Sequence, residues 1–282
     1  MFEIYTKQLR KKWFSWSAIS FVTAVFSFLM VAIWPSFEPY VESLQEMMEL
    51  PIYQALLGEG VGLTSLESLL TMELFIISDI FFMGLILLFG VQCITREADS
   101  GSLDFMLSFP VPRWRFLLEK VFAFITITLS YPIFTFAAAI LASVIIPGIK
   151  FNPRGLEAYF LGLLSRWILY LSLTCIVILI SVVFMDTGKT LGFGGLLLGG
   201  SYILKTIAGL LRMADPAMAD MLQLTSFYYY LDGIKIVDDI IKVGYGAYPF
   251  GQVIFIIIIG VVSLLLALLI FDNPYFQKRE FK

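Results

Sequence analysis

Six runs of apolar residues set the possibilities for this chain, at roughly 14–34, 72–93, 116–146, 156–185, 190–210 and 250–271. Each supplies the roughly 20 residues a helix needs to cross the hydrocarbon of a bilayer. Inside hydrocarbon the backbone must satisfy its own polar groups, so such runs fold as helices. Hydrophobic residues make up 59% of the 282 and charged residues only 15%, which excludes a soluble domain of this length. The expected fold is an all-α integral membrane protein, with six transmembrane helices forming a single transmembrane domain over 1–282. The third and fourth runs exceed a bilayer's need and are expected to tilt or protrude. Tyr131-Pro132 should kink the third, because proline cannot donate to the carbonyl four residues back.

Lys and Arg give the orientation. The N-terminus, 94–115, 186–189 and the C-terminal tail together carry 11, and the alternate loops carry five. The richer side is expected to be cytoplasmic, with both termini inside. Residues 2–13 read as an amphipathic interfacial helix. Phe2, Tyr5, Leu9, Trp13 and Trp16 share one face, and Lys7, Arg10 and Lys11 lie opposite, towards anionic lipid headgroups. The alternative is a basic flank that only fixes topology. The run at 14–34 has spanning length and no small-residue cleavage site, so it reads as a retained helix and not as a signal peptide.

The outer loops are acidic. Residues 35–71 hold Glu38, Glu42, Glu46, Glu49, Glu59 and Glu67 and no basic residue, with a short amphipathic helix expected before Pro51. Residues 211–249 hold Asp215, Asp220, Asp232, Asp238 and Asp239 around Phe227-Tyr228-Tyr229-Tyr230 and an Ile/Val run. Such charge usually keeps a loop solvated, and the aromatics suit short external helices dipping towards the bilayer.

Little points to chemistry on the chain itself. With no histidine, imidazole-based zinc sites and triads are excluded. Cys93 and Cys175 sit in or beside apolar runs, where a cysteine is usually a small core residue. Gly188-Lys189-Thr190 resembles the end of a phosphate loop, but Val183 stands where its first glycine belongs. No catalytic, cofactor-binding or metal-binding residues are assigned, and no basic domain suggests a nucleic-acid partner. Charges inside the spans are costly and therefore informative. Asp79 and Arg166 enter their helices from the same side, and either pair or face a polar pathway. Lys205, near the outer end of its helix, is expected to snorkel. Gly188/Gly192 and Gly195/Gly199 have G-x-x-x-G spacing, suited to close helix contact within the chain or across a dimer.

The most telling loop runs from Ile94 to Lys120. Ser100 or Ser102 can cap a short helix in which Leu103, Met106 and Leu107 share a face, Asp104 lies among them, and Pro110 and Pro112 follow. Glu97, Gly101, Leu103, Leu107, Pro110, Arg113 and Lys120 resemble the E…G-[ST]-L-x-x-L-L-x-x-P-[VI]-x-R…K pattern of ABC-2 type exporter permeases. That resemblance implies a coupling helix between the second and third spans, docking into ABC ATPase (nucleotide-binding) subunits through Glu97, Gly101, Leu103, Asp104, Met106, Leu107 and Arg113. It implies a second permease protomer, as homo- or heterodimer, with the first and fifth helices meeting across it. ATP and Mg would then sit on the partner ATPase, none bound by this chain, and the protein would be a multi-pass component of a prokaryotic plasma membrane. Outside the family, the residues also fit an ion-gradient-driven secondary transporter or channel, or a non-transporting membrane scaffold.

Overall fold

The structure is a computed structural model, describing residues 3–48, 50, 53, 65–101, 112–212 and 214–273. The described residues are helical throughout their ordered elements and include no strand. In order they are α1 (Glu3–Phe37), α2 (Val41–Met48), α3 (Leu66–Gly90), α4 (Arg113–Thr128), α5 (Ser130–Ile145), α6 (Pro153–Phe184), α7 (Thr187–Leu211), α8 (Pro216–Thr225), α9 (Phe227–Tyr230), α10 (Gly233–Val243) and α11 (Phe250–Asp272). Counting α4 and α5 as one bent helix, six are long and apolar enough to cross a membrane. Six crossings place the starts of α1 and α4 and the ends of α6 and α11 at one end of the bundle, here the terminal end.

Several boundaries differ from the sequence reading, each for a local reason. The expected interfacial helix and the first span form one unbroken helix, since nothing between Trp13 and Trp16 interrupts it and Pro35 falls only in its last turns. Its first turn is held from outside: Glu119 of α4 accepts the Ile4 and Tyr5 amides at 3.2 and 3.3 Å. A carboxylate there satisfies two free donors and meets the positive end of the helix dipole. Arg115 clamps the same carboxylate at 2.8 Å. Glu119→Gln should therefore destabilise the protein by about 1 kcal/mol and speed proteolysis near residue 4, whereas Lys11→Gln should do neither. Equal effects from the two would mean that Glu119 is no cap.

The third span breaks at Leu129, three residues before Pro132. Pro132 cannot donate to the Thr128 carbonyl, and the helix bends where that bond is missing. The second span starts earlier than expected, at Leu66, with Ser65 capping Ser68. Glu67 is not solvated. It is 3% exposed, accepts the Asn152 amide at 2.8 Å and presses on Gly155 at the start of α6.

Inter-helix packing combines aromatic and polar contacts. Trp16 packs edge-on to Phe89 and Phe124. Ser20 meets Ser130 at 2.8 Å, Thr23 meets Thr135 at 3.1 Å and Ser27 meets Tyr159 at 3.2 Å, tying α1 to α5 and α6. Such bonds contribute about 0.6 kcal/mol each in a membrane, less than the burial around them.

The 211–249 region folds inwards. α8 turns back along α7, and Ser226 at its end donates to the Ser201 carbonyl at 2.7 Å. Ser201 lies about 21 Å along α7 from Thr187. α10 then rises between α3 and α6 with Ile234, Ile236, Val237 and Ile240 buried. Two glycines permit this approach. A Cβ at Gly233 would collide with the Phe75 ring, and one at Gly162 would come within 2.6 Å of Val237.

Candidate functional site

Four charged side chains meet where α3, α6, α7 and the start of α10 converge. Arg166 Nη2 lies 3.4 Å from Asp79 Oδ2 and 3.6 Å from Asp232 Oδ1. Lys205 Nζ is 2.6 Å from Asp232 Oδ2. Two cations and two carboxylates make the cluster formally neutral, which is how buried charge becomes tolerable. Arg166 and Asp79 are almost wholly buried, and Asp232 nearly so. The Phe75 and Tyr228 rings flank the guanidinium at 5.5 and 6.0 Å.

A hydrogen-bonded chain leads away from it towards α5. Tyr170 donates to Asp79 Oδ1 at 2.6 Å, Ser78 and Tyr170 hydroxyls lie 3.0 Å apart, and Tyr131 donates to Ser78 at 3.3 Å. Phe82 stacks on Tyr170 at 4.2 Å. The network so spans five helices. Arg166 Nε and Nη1 and the Tyr228 hydroxyl are buried without a hydrogen-bond partner among the described residues, polar atoms that ordered water suits.

Asp79 and Arg166 each lie thirteen residues into their helices, since α3 and α6 begin before the apolar runs do. The cluster stands about 27 Å from the Phe184 end of α6. Along α6 it therefore lies nearer the Pro153 end, away from the terminal end of the bundle. Lys205 does not snorkel to the surface as expected, because Asp232 offers it a partner inside. Nor does Asp232 solvate a loop: it caps α10 by accepting the Ile234 amide at 3.2 Å and faces two cations. One signal could have found it. Asp79, Arg166 and Lys205 sum to one positive charge, so a fourth, acidic group was required, and Asp232 stands immediately before an apolar helix.

A second constellation lies at the terminal end, around the expected coupling stretch. Leu103, Asp104, Met106 and Leu107, with Ser102 and Pro110, lie outside the described residues. α3 continues into a π-helical segment, Val91–Thr95, and a helical turn, Arg96–Asp99. Gly101 follows with φ of 66°, a left-handed conformation suited to glycine at a helix end. Lys120, 1% exposed, donates to both Glu97 carboxylate oxygens and to the Cys93 carbonyl, all at 2.7 Å, and lies over the Phe116 ring. Asp99 accepts the Thr187 amide at the start of α7 at 3.2 Å. Arg113 is the first residue of α4. The two ends of the 97–120 stretch are thus joined by a largely buried ion pair, and the stretch is tied to α7 as well.

The α7 glycines divide. Gly194, which carries no part in either expected pair, is the one packed tightly inside the protomer, 2.9 Å from Leu87 to a would-be Cβ. Gly192 and Gly199 face open space, Gly195 barely meets Leu87 at 4.0 Å, and Gly188 meets only Asp186.

Compared with known families, residues 4–274 match the model of the ABC-2 family transporter protein. No curated protein and no solved structure matches the chain.

Proposed function

The chain belongs to the ABC-2 family of transporter proteins, and from that membership we propose that it is the permease subunit of an ATP-driven exporter. As a family member it is a multi-pass membrane permease of the ABC type. Two protomers, identical or related, enclose the substrate pathway, and separate ABC ATPase subunits bind beneath them. ATP and magnesium act on those subunits. The permease contributes no hydrolytic residue; it converts their approach into alternating access in a prokaryotic plasma membrane, with both termini inside.

The single observation that carries this reading is the Glu97–Lys120 pair within a family match covering nearly the whole chain. It joins the flanks of the stretch whose Leu103, Met106 and Leu107 would enter the ATPase. Movement there would pass into α3 and α4 together, and through Asp99 into α7. The Asp79–Arg166–Asp232–Lys205 cluster then acts as a latch near the external side, closing α10 against α3, α6 and α7. The outward-open glycines Gly192 and Gly199 suit a contact with the second protomer.

The test is co-purification of an ATPase followed by flux in sealed vesicles with and without ATP. ATP-dependent flux supports the exporter. Flux that needs no ATP and collapses with an ionophore would replace it by an ion-gradient transporter, for which the buried charges would be coupling groups. A protein that binds partners without changing flux would be a scaffold. Orientation has its own check. A cysteine introduced at Lys235 should react with an impermeant reagent outside intact cells, and one at Asp104 should not; the reverse result would invert the topology.

A further inference from the structure

A groove opens on the outer surface of the bundle between α1 and the break of α4 and α5. Leu9, Arg10, Trp13, Ser17, Thr126, Ile127 and Ser130 line its volume of about 480 Å³. Its three hydroxyls are already occupied by the chain. Ser17 donates to the Trp13 carbonyl at 2.5 Å, Thr126 to that of Phe122 at 2.8 Å and Ser130 to that of Ile127 at 2.6 Å. The surface left for a ligand is therefore mostly hydrocarbon, with the exposed Trp13 ring as one wall.

At one end the groove meets Arg10, which it shares with a more polar hollow lined by Glu3, Thr6, Lys7, Arg10 and Lys11. Among the described residues no ion pair engages Lys7, Arg10 or Lys11. Three cations against the one carboxylate of Glu3 leave this end basic. Apolar walls running into an unpaired basic cluster match the two parts of a lipid, an acyl chain and a negatively charged headgroup. An apolar groove on the outside of a membrane-spanning bundle also forfeits dispersion contacts along its lining if it stays empty.

We propose that this groove binds one anionic phospholipid, its chain between Trp13 and Ile127 and its phosphate at Lys7, Arg10 and Lys11. A second copy of the chain would need a complementary anionic edge; a phospholipid brings the charge with it. The site is independent of the transport reading, because it uses only the surface of α1, α4 and α5.

Native mass spectrometry of the full chain, purified and equilibrated with phosphatidylglycerol or phosphatidylcholine of matched chains, tests it. Near a surface each basic residue is worth about fivefold in binding of anionic lipid. Wild type should retain one phosphatidylglycerol per protomer with at least about tenfold preference over phosphatidylcholine. Replacing Lys7, Arg10 and Lys11 together by Gln should bring the preference close to one. Ser17→Phe, which fills the groove, should lower retention of both lipids. These are surface changes, and unchanged unfolding midpoints will show that the bundle is intact. Equal retention of the two lipids by wild type overturns the proposal, as does an undiminished preference in the triple variant. A Trp13→Cys variant that cross-links to its own copy in the membrane would give the groove to a second protomer instead.

Discussion

Arg166→Met should destabilise the protein by about 3–5 kcal/mol, because it strands a buried carboxylate. Asp79 would keep the Tyr170 hydroxyl, but its nearest cation would be gone, since Lys205 engages Asp232. Methionine roughly replaces the volume, so the loss is electrostatic in origin. Adding Asp79→Asn should recover much of it, for Asp232 and Lys205 then remain as a balanced pair. The two changes should be coupled by between about 0.5 and 3 kcal/mol in a double-mutant cycle. Lys205→Met should cost less than Arg166→Met, since the Lys205 side chain is 18% exposed and the arginine's 1%. Denaturation in mixed micelles measures the wild type and the four variants. Strictly additive losses for Asp79→Asn and Arg166→Met would mean that the two side chains do not act as a pair.

How much of this cluster is legible in the sequence depends on what hydropathy registers. Hydropathy finds helices because membrane spans are long and uniform, and all six were legible, as was the bend that Pro132 imposes. Hydropathy also flags a charge inside a span, which is how Asp79, Arg166 and Lys205 stood out. It says nothing of a loop that folds back. Asp232 carries the same sign and company as the exposed Asp215 and Asp220, and only the return of α8 along α7 brings it beside Arg166 and Lys205. Glu67 was hidden in the same way, as one of six acids in a loop. Glu119 and Lys120 stand where the loop ending at Lys120 overlaps the apolar run that begins at 116, so hydropathy gives neither a partner. Helical spacing then turns both inwards, one to the first turn of α1 and the other to Glu97. The motif resemblance placed Glu97 and Lys120 in one pattern but gave no reason for their pairing; the 2.7 Å bond supplies it.

That bond leads to the second large effect. Glu97→Gln should cost about 3 kcal/mol, towards the lower end of the range for breaking a buried pair because the glutamate side chain is 18% exposed. Lys120 would be left charged and buried, with the Cys93 carbonyl and the Phe116 ring to face. Lys120→Met should be milder. It removes the buried charge itself and leaves Glu97 at an edge where water can reach it. The order of the two losses, glutamate worse than lysine, is the risky part, and the opposite order would place the desolvated charge on the wrong partner. Both variants loosen the join between α3 and α4, so both should also weaken ATP-driven flux in proportion to their instability. Leu103→Asp and Leu107→Asp should behave differently. Each would place an unpaired charge in the ATPase cleft and abolish co-purification, while the permease alone keeps its wild-type unfolding midpoint. The pair would then hold the coupling element in place, and the leucines would make its contact. Should the leucine variants retain the ATPase at wild-type affinity, the stretch between Gly101 and Pro112 is not where the two subunits meet. Should they unfold the isolated permease, those leucines belong to its own packing, and Glu97 and Lys120 brace a loop that no partner reads.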